Sequence, residues 1–122
     1  NKKNMILRAK DKERLIAIFD RIQTPIEVWA YGSRVNGNAH EGSDLDLVIR
    51  TPLLQKLSID VFLDLEEKIQ ESNIPIIVEI FDWARLPEYF HKNIELQHEV
   101  LYSNSMTLLN EPNIDYKKSI KE

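Results

Sequence analysis

The chain has 122 residues, 43% hydrophobic and 30% charged, with a net charge of −4 and no cysteine. That length supports one hydrophobic core, so a single domain over 1–122 is expected, with its core at about 10–104 and a tail at 105–122. The composition excludes disulfides and thiolate chemistry, a broad nucleic-acid surface built on Lys and Arg, and a membrane span of roughly 18 apolar residues, so neither nucleic acid nor membrane is an expected partner and a cytoplasmic location is.

Residues 1–10 are polar and basic and read as a lead-in. Asp11 is placed to cap a helix reaching about Ile22, with Glu13 in its first turn. Leu15, Ile18, Phe19 and Ile22 recur at i, i+3, i+4, i+7 and mark its buried stripe. Pro25 ends the connection, residues 27–31 read as a strand, and the apolar run 45–49 reads as a second, stopped by Thr51-Pro52. Ser58 can cap a helix to about Ser72 that turns Phe62, Leu65 and Ile69 inward. Asn73 and Pro75 break the pattern before a third strand at 76–81. Pro87 opens a last helix with Phe90 and Ile94 on one face, and a short apolar run follows at 100–102. The order, α-β-α-β-α-β-α with the second α a short turn or helix, predicts an α/β fold (α+β by some schemes). Its small mixed sheet would be packed with helices.

The chemistry concentrates in residues 28–50. Residues two apart in a strand point the same way, so Asp44 and Asp46 present both carboxylates on one face while Leu45, Leu47 and Ile49 turn into the core. Side-by-side carboxylates repel unless a cation lies between them. Mg²⁺ suits the pair, because it takes one or two carboxylates together with phosphate oxygens. Gly32-Ser33 directly follows a strand. Gly permits a sharp turn and a close ligand approach, Ser33 can offer a hydroxyl and an N–H to phosphate, and Arg34 is placed to meet phosphate charge.

Gly32-Ser33, ten residues, then Asp44-Leu45-Asp46 resembles the signature of the nucleotidyltransferases of the DNA polymerase β superfamily. The closer resemblance is to the minimal nucleotidyltransferases (MNT proteins) encoded beside a HEPN-domain partner. It extends through residues 28–34, Gly37, the 43–47 strand and Phe81-Asp82-Trp83-Ala84. The resemblance implies a nucleotidyltransferase fold and a two-metal Mg²⁺ site. It also implies transfer of AMP from ATP to a hydroxyl, typically of a Tyr, on a HEPN-domain toxin that this chain silences as an antitoxin. A third carboxylate of the family, usually Asp, aligns with Glu79. Strand parity separates Glu79 from Asp82, which would face the other way. Asp44, Asp46 and Glu79 are thus the expected catalytic and metal-binding residues, and Gly32, Ser33 and Arg34 the expected nucleotide-binding ones. A single domain of this length is expected to carry no second module for a small acceptor, so the acceptor is expected on another chain. A non-catalytic antitoxin that neutralises by binding, and transfer to a small-molecule hydroxyl, are the alternatives.

The remaining polar and aromatic residues have plainer readings. His40 reads as a loop histidine, His91 and His98 as surface residues, and Trp29 and Trp83 as sheet cover.

Overall fold

The computed structural model describes residues 7–37 and 42–104. The expectations for His40 and for the tail fall outside the described residues. The elements run α1 (Ala9–Asp20), β1 (Glu27–Tyr31), α2 (Ser33–Asn36), β2 (Leu45–Arg50), α3 (Ile59–Gln70), β3 (Val78–Asp82), α4 (Glu88–Leu96) and β4 (Glu99–Ser103), with single 3-10 turns at Pro52–Leu54 and Trp83–Arg85. The expected α/β order is therefore present, and the apolar run at 100–102 is the centre of a fourth strand.

One sheet holds the strands in the order β3-β2-β1-β4. β1 pairs antiparallel with both β2 and β4. β2 and β3 run parallel, because α3 carries the chain back across the sheet between them. The sheet is therefore mixed, as expected.

Period-2 alternation gives each strand two different faces. Val28, Ala30, Leu45, Leu47, Ile49 and Ile80 pack with Leu15 and Phe19 of α1 and Leu65 and Ile69 of α3 into the main core. Complete burial of side chains such as Leu15, Phe19, Leu47 and Leu65 stabilises by roughly 1.5–3 kcal/mol each. The reverse face gathers Trp29, Val48 and Trp83 under Ile94 of α4. Because α4 covers only part of that face, side chains further along β1, β2 and β3 remain reachable.

The ends of α1 and β3 differ from the sequence reading. Arg8, not Asp11, is the N-cap of α1. Asp11 lies buried in the first turn, where its carboxylate accepts from Arg8 Nε at 2.9 Å and Arg8 Nη2 at 3.0 Å. An acid near a helix start is favoured both as a cap and within the first turn, and here the bidentate Arg8 pair selects the second use. β3 begins at Val78, two residues later than expected, and extends to Asp82.

Candidate active site

Three neighbouring strands place one side chain each in a single row on the reverse face. Tyr31 of β1 lies opposite Asp46 of β2, and Asp46 lies beside Glu79 of β3. All three share the parity of Trp29, Val48 and Phe81, so they project on the same side as the Trp cluster. Asp44 sits just ahead of β2 and is exposed. Glu79 is exposed too, whereas Asp46 is half-buried. Burial raises the pKa of the Asp46 carboxyl, and the negative charges of Glu79 and Asp44 raise it further. Burial also raises that of the Tyr31 hydroxyl, with Asp46 and Glu79 adding to the effect. Glu79 and Asp44 therefore lie near enough for their charges to act on the Asp46 carboxyl.

The turn between β1 and α2 abuts this row. Gly32 has φ 86°, a conformation that side chains other than Gly rarely adopt. A Cβ added there would stand 2.8 Å from Asp46 Oδ2. The Gly32 carbonyl accepts from the N–H groups of Val35 at 2.9 Å and Asn36 at 3.0 Å, which starts α2 at Ser33. Gly37, at φ 91°, ends it in a left-handed cap. The backbone of this turn therefore runs against the carboxylates with no side chain between them.

Arg34, the expected nucleotide-binding neighbour of Gly32-Ser33, lies buried in α2. It is only 4% exposed, and its Nε donates to the Ser43 carbonyl at 2.9 Å. It ties α2 to the segment that delivers Asp44, which is a bracing position. A charged residue type next to Gly-Ser does not reveal which way its long side chain lies.

Asp82 is separated from the row, as parity requires. Its carboxylate is buried, accepting from Leu57 N–H at 2.9 Å, Ala84 N–H at 3.2 Å and Arg85 Nη1 at 2.8 Å. Those bonds fix the approach to α3 and the turn after β3, and they occupy Asp82 structurally.

The acids suit a divalent cation of the hard, oxygen-loving kind. Among the described residues, ion pairs engage Asp11, Glu27, Asp64 and Asp82, and none engages Asp46 or Glu79. Uncompensated like charge, with a carboxyl pushed upward by burial and then by its neighbours, is what a cation relieves. Among the described residues no three His, Cys, Asp or Glu side chains are gathered closely enough to hold a metal ion by themselves. Mg²⁺ needs no such cluster, since it keeps several waters and takes one or two carboxylates together with phosphate oxygens.

The covered half of the reverse face shows two histidines the sequence reading misplaced. His91 stacks on Trp83 with centroids 4.0 Å apart and donates from Nε2 to the Trp83 carbonyl at 2.7 Å. His98, beyond the end of α4, stacks on Trp29 at 3.7 Å and donates from Nδ1 to the Ile94 carbonyl at 2.9 Å. Both are half-buried covers of the Trp pair, not free surface residues. Arg50 lies over both indoles, 4.0 Å from the Trp29 ring and 4.5 Å from Trp83. Trp29 and Trp83 are buried as expected. Tyr31 was the member of the row that sequence reasoning passed over. Its signal was its place directly before Gly32 at the end of a strand, on the parity of Trp29.

A groove of about 680 Å³ between α1 and α3, lined by Ala17, Ile18, Val61 and Leu65 among others, lies against the opposite side of the sheet and touches none of these acids. Among the described residues no helix is long and apolar enough to cross a membrane.

A family model described as polymerase beta, nucleotidyltransferase, matches residues 13–107. The chain is 36% identical over 92 residues to a probable protein adenylyltransferase MntA of Haemophilus influenzae, covering 75% of this chain and 78% of that protein. A solved structure described as a toxin-antitoxin with AMP-PNP superposes with a TM-score of 0.61 at 18% identity, covering 77% of this chain and 74% of that one; at that identity the likeness is one of fold. The signature spacing, the sheet that carries it and these matches agree: the chain belongs to the polymerase β-type nucleotidyltransferases, within the group that includes MntA, and it is a nucleotidyltransferase.

Proposed function

We propose that this chain is an Mg²⁺-dependent adenylyltransferase that moves AMP from ATP to a hydroxyl, typically of a Tyr, on a HEPN-domain toxin, and so acts as its antitoxin. The observation that carries this reading is the register of Asp46 beside Glu79 in the parallel β2–β3 pair, with Asp44 just ahead of the strand and the Gly32 turn against Asp46. The naming of MntA as a probable protein adenylyltransferase supports the reaction. The toxin-antitoxin description of the solved structure supports the biological setting.

In this reading Asp44, Asp46 and Glu79 hold Mg²⁺, which when bound neutralises charge on the triphosphate and on the attacking oxygen. Ser33 and the Gly32–Ser33 backbone steady the phosphates. Glu79 helps accept the proton of the acceptor hydroxyl as its oxygen bonds to the α-phosphorus. The bond to the bridging oxygen breaks, and pyrophosphate leaves. Arg34 serves as a positioning residue, since its Nε is bonded to Ser43 and it braces the loop that brings Asp44 into place.

Glu79 in place of the family's usual Asp favours one second reading, a partner-binding antitoxin whose nucleotide site no longer turns over. Radiolabelled ATP, Mg²⁺ and the product of the adjacent reading frame separate the two. Label from the α-phosphate on the partner, lost in Asp46→Asn, is the expected result. A stable neutralised complex that never takes label would establish the binding reading instead.

A further inference from the structure

We infer that the cavity between α2 and α4 is a nucleoside subsite that takes a purine ring, so that α4 sets base preference. This deepens the transferase reading above and rests on it. The cavity holds about 340 Å³, and its walls include Tyr31, Gly32, Phe90, Asn93, Leu96 and Gln97. That volume lies at the lower end of the usual range for small-molecule sites.

Two of those walls already border Asp46. Gly32 is the residue whose Cβ would strike Asp46. Tyr31 lies opposite Asp46 in the sheet and feels the charge of Asp46 and Glu79. A ligand with phosphates at the Gly32-Ser33 turn therefore enters the cavity without crossing open surface. The far wall comes from α4 and the residue after it. Phe90 and Leu96 are exposed apolar groups there, and Asn93 and Gln97 add exposed carboxamides. No Lys, Arg, Asp or Glu lines the cavity among the described residues. An uncharged, flat ligand with donors and acceptors on its edge fits such walls: an aromatic face for stacking and amides that offer both hydrogen-bonding senses.

Sheet order separates this cavity from the place of the acceptor. In β3-β2-β1, Glu79 lies on one side of Asp46 and Gly32 on the other. The base belongs with the phosphate turn on the β1 side. The acceptor hydroxyl belongs with Glu79 at the open β3 edge, where Ile77 is exposed.

Equilibrium binding to the purified full chain in Mg²⁺ tests this, using ATP, GTP, CTP, UTP and inorganic tripolyphosphate. Purine triphosphates are expected to bind about tenfold more tightly than pyrimidine ones, since stacking strength follows ring area. Phe90→Ala is expected to weaken ATP about tenfold and leave tripolyphosphate unchanged. Gln97→Ala is expected to change the ratio of ATP to GTP affinity. Phe90→Leu, which keeps an apolar side chain and removes the ring, gives the same pattern if Phe90→Ala fails to fold by circular dichroism. Unchanged ATP affinity, or equal weakening of tripolyphosphate, would overturn the subsite. So would loss of AMP transfer with ATP binding intact, which would make this the acceptor's cavity. Base-dependent binding without label on the partner would sustain the subsite and overturn the transferase reading.

Discussion

Gly32 and Asp46 are packed so closely that the Asp46 carboxylate occupies the space a side chain at Gly32 would need, with Oδ2 2.8 Å from the position of that Cβ. The turn and the acid are one unit built from two strands. Gly32→Ala would add both a steric clash and the cost of φ 86° for a non-Gly residue. A loss of about 1–3 kcal/mol of stability is expected, readable by urea unfolding. Nucleotide affinity should fall more than that loss alone explains, because the clash moves Asp46. A variant that is destabilised yet binds ATP as tightly as the parent would show that Asp46 is not held by this contact.

Glu79 offers a graded test of the row. Its neighbour in the parallel register is Asp46, and it is exposed, so its longer side chain can fold back to the reach of an Asp. Glu79→Gln is expected to lower the rate of AMP transfer on the order of 10²-fold, since it removes one ligand charge and the proton acceptor together. Glu79→Asp should lose less than Glu79→Gln, because it keeps the charge and the proton acceptor and gives up only reach. Single-turnover measurement with saturating Mg²⁺ reads both. Full activity in Glu79→Gln would remove Glu79 from the mechanism.

The parts of this site that were legible in the sequence are those set by local periodicity. Alternation alone separates Asp46 from Leu45 and Leu47, and Glu79 from Asp82, whose burial confirms that parity. The register that sets Tyr31, Asp46 and Glu79 in one row is a non-local pairing, and nothing in a single strand encodes it. His91 and His98 were misplaced, and the lie of Arg34 was not legible, for a related reason. Each has a side chain whose direction is decided by a partner distant in the chain or by the packing of a helix onto the sheet. Ser43 draws in Arg34, and the Trp83 and Trp29 rings hold the two histidines. Composition identifies such residue types but not their contacts.

Asp11 gives a pH dependence independent of the site. The hydrogen bonds from Arg8 hold its carboxyl below the usual carboxylate range, with the charges of Arg8 and Arg14 acting in the same sense and burial opposing them. A depressed folded pKa means that the stabilisation is full above the unfolded value of about 3.9 and is lost as pH falls through the folded value. The layer over Asp11 is thin, since Arg8 itself is 59% exposed, so water screens the pair. Asp11→Asn is expected to lower stability at pH 7, with parent and variant converging as pH falls through the folded value of Asp11. Chemical denaturation across that range checks it. A constant gap between the two at all pH values would assign the effect to packing rather than charge.

Arg50 tests what holds α4 against the sheet. Its guanidinium lies over the Trp29 and Trp83 rings and pairs with Glu27 at 3.5 Å. Burial opposes its charge, lowering its pKa, while Glu27 and Glu95 act against that effect. The Arg50 Nε and Trp29 Nε1 atoms have no hydrogen-bond partner, so the face between indoles, rather than a saturated hydrogen-bond set, carries the contact. Arg50→Ala removes both cation–π contacts and leaves Glu27, which is buried, without its cation. A loss of about 2–4 kcal/mol is expected. Arg50→Lys should recover less than half of it, because a compact ammonium cannot lie flat across two rings. If α4 also forms the far wall of the nucleoside cavity, loosening it must raise the dissociation constant for ATP while leaving tripolyphosphate untouched. Thermal melts and the two binding measurements on Arg50→Ala, taken together, distinguish a stability effect confined to the Trp cluster from one transmitted through α4 to the ligand.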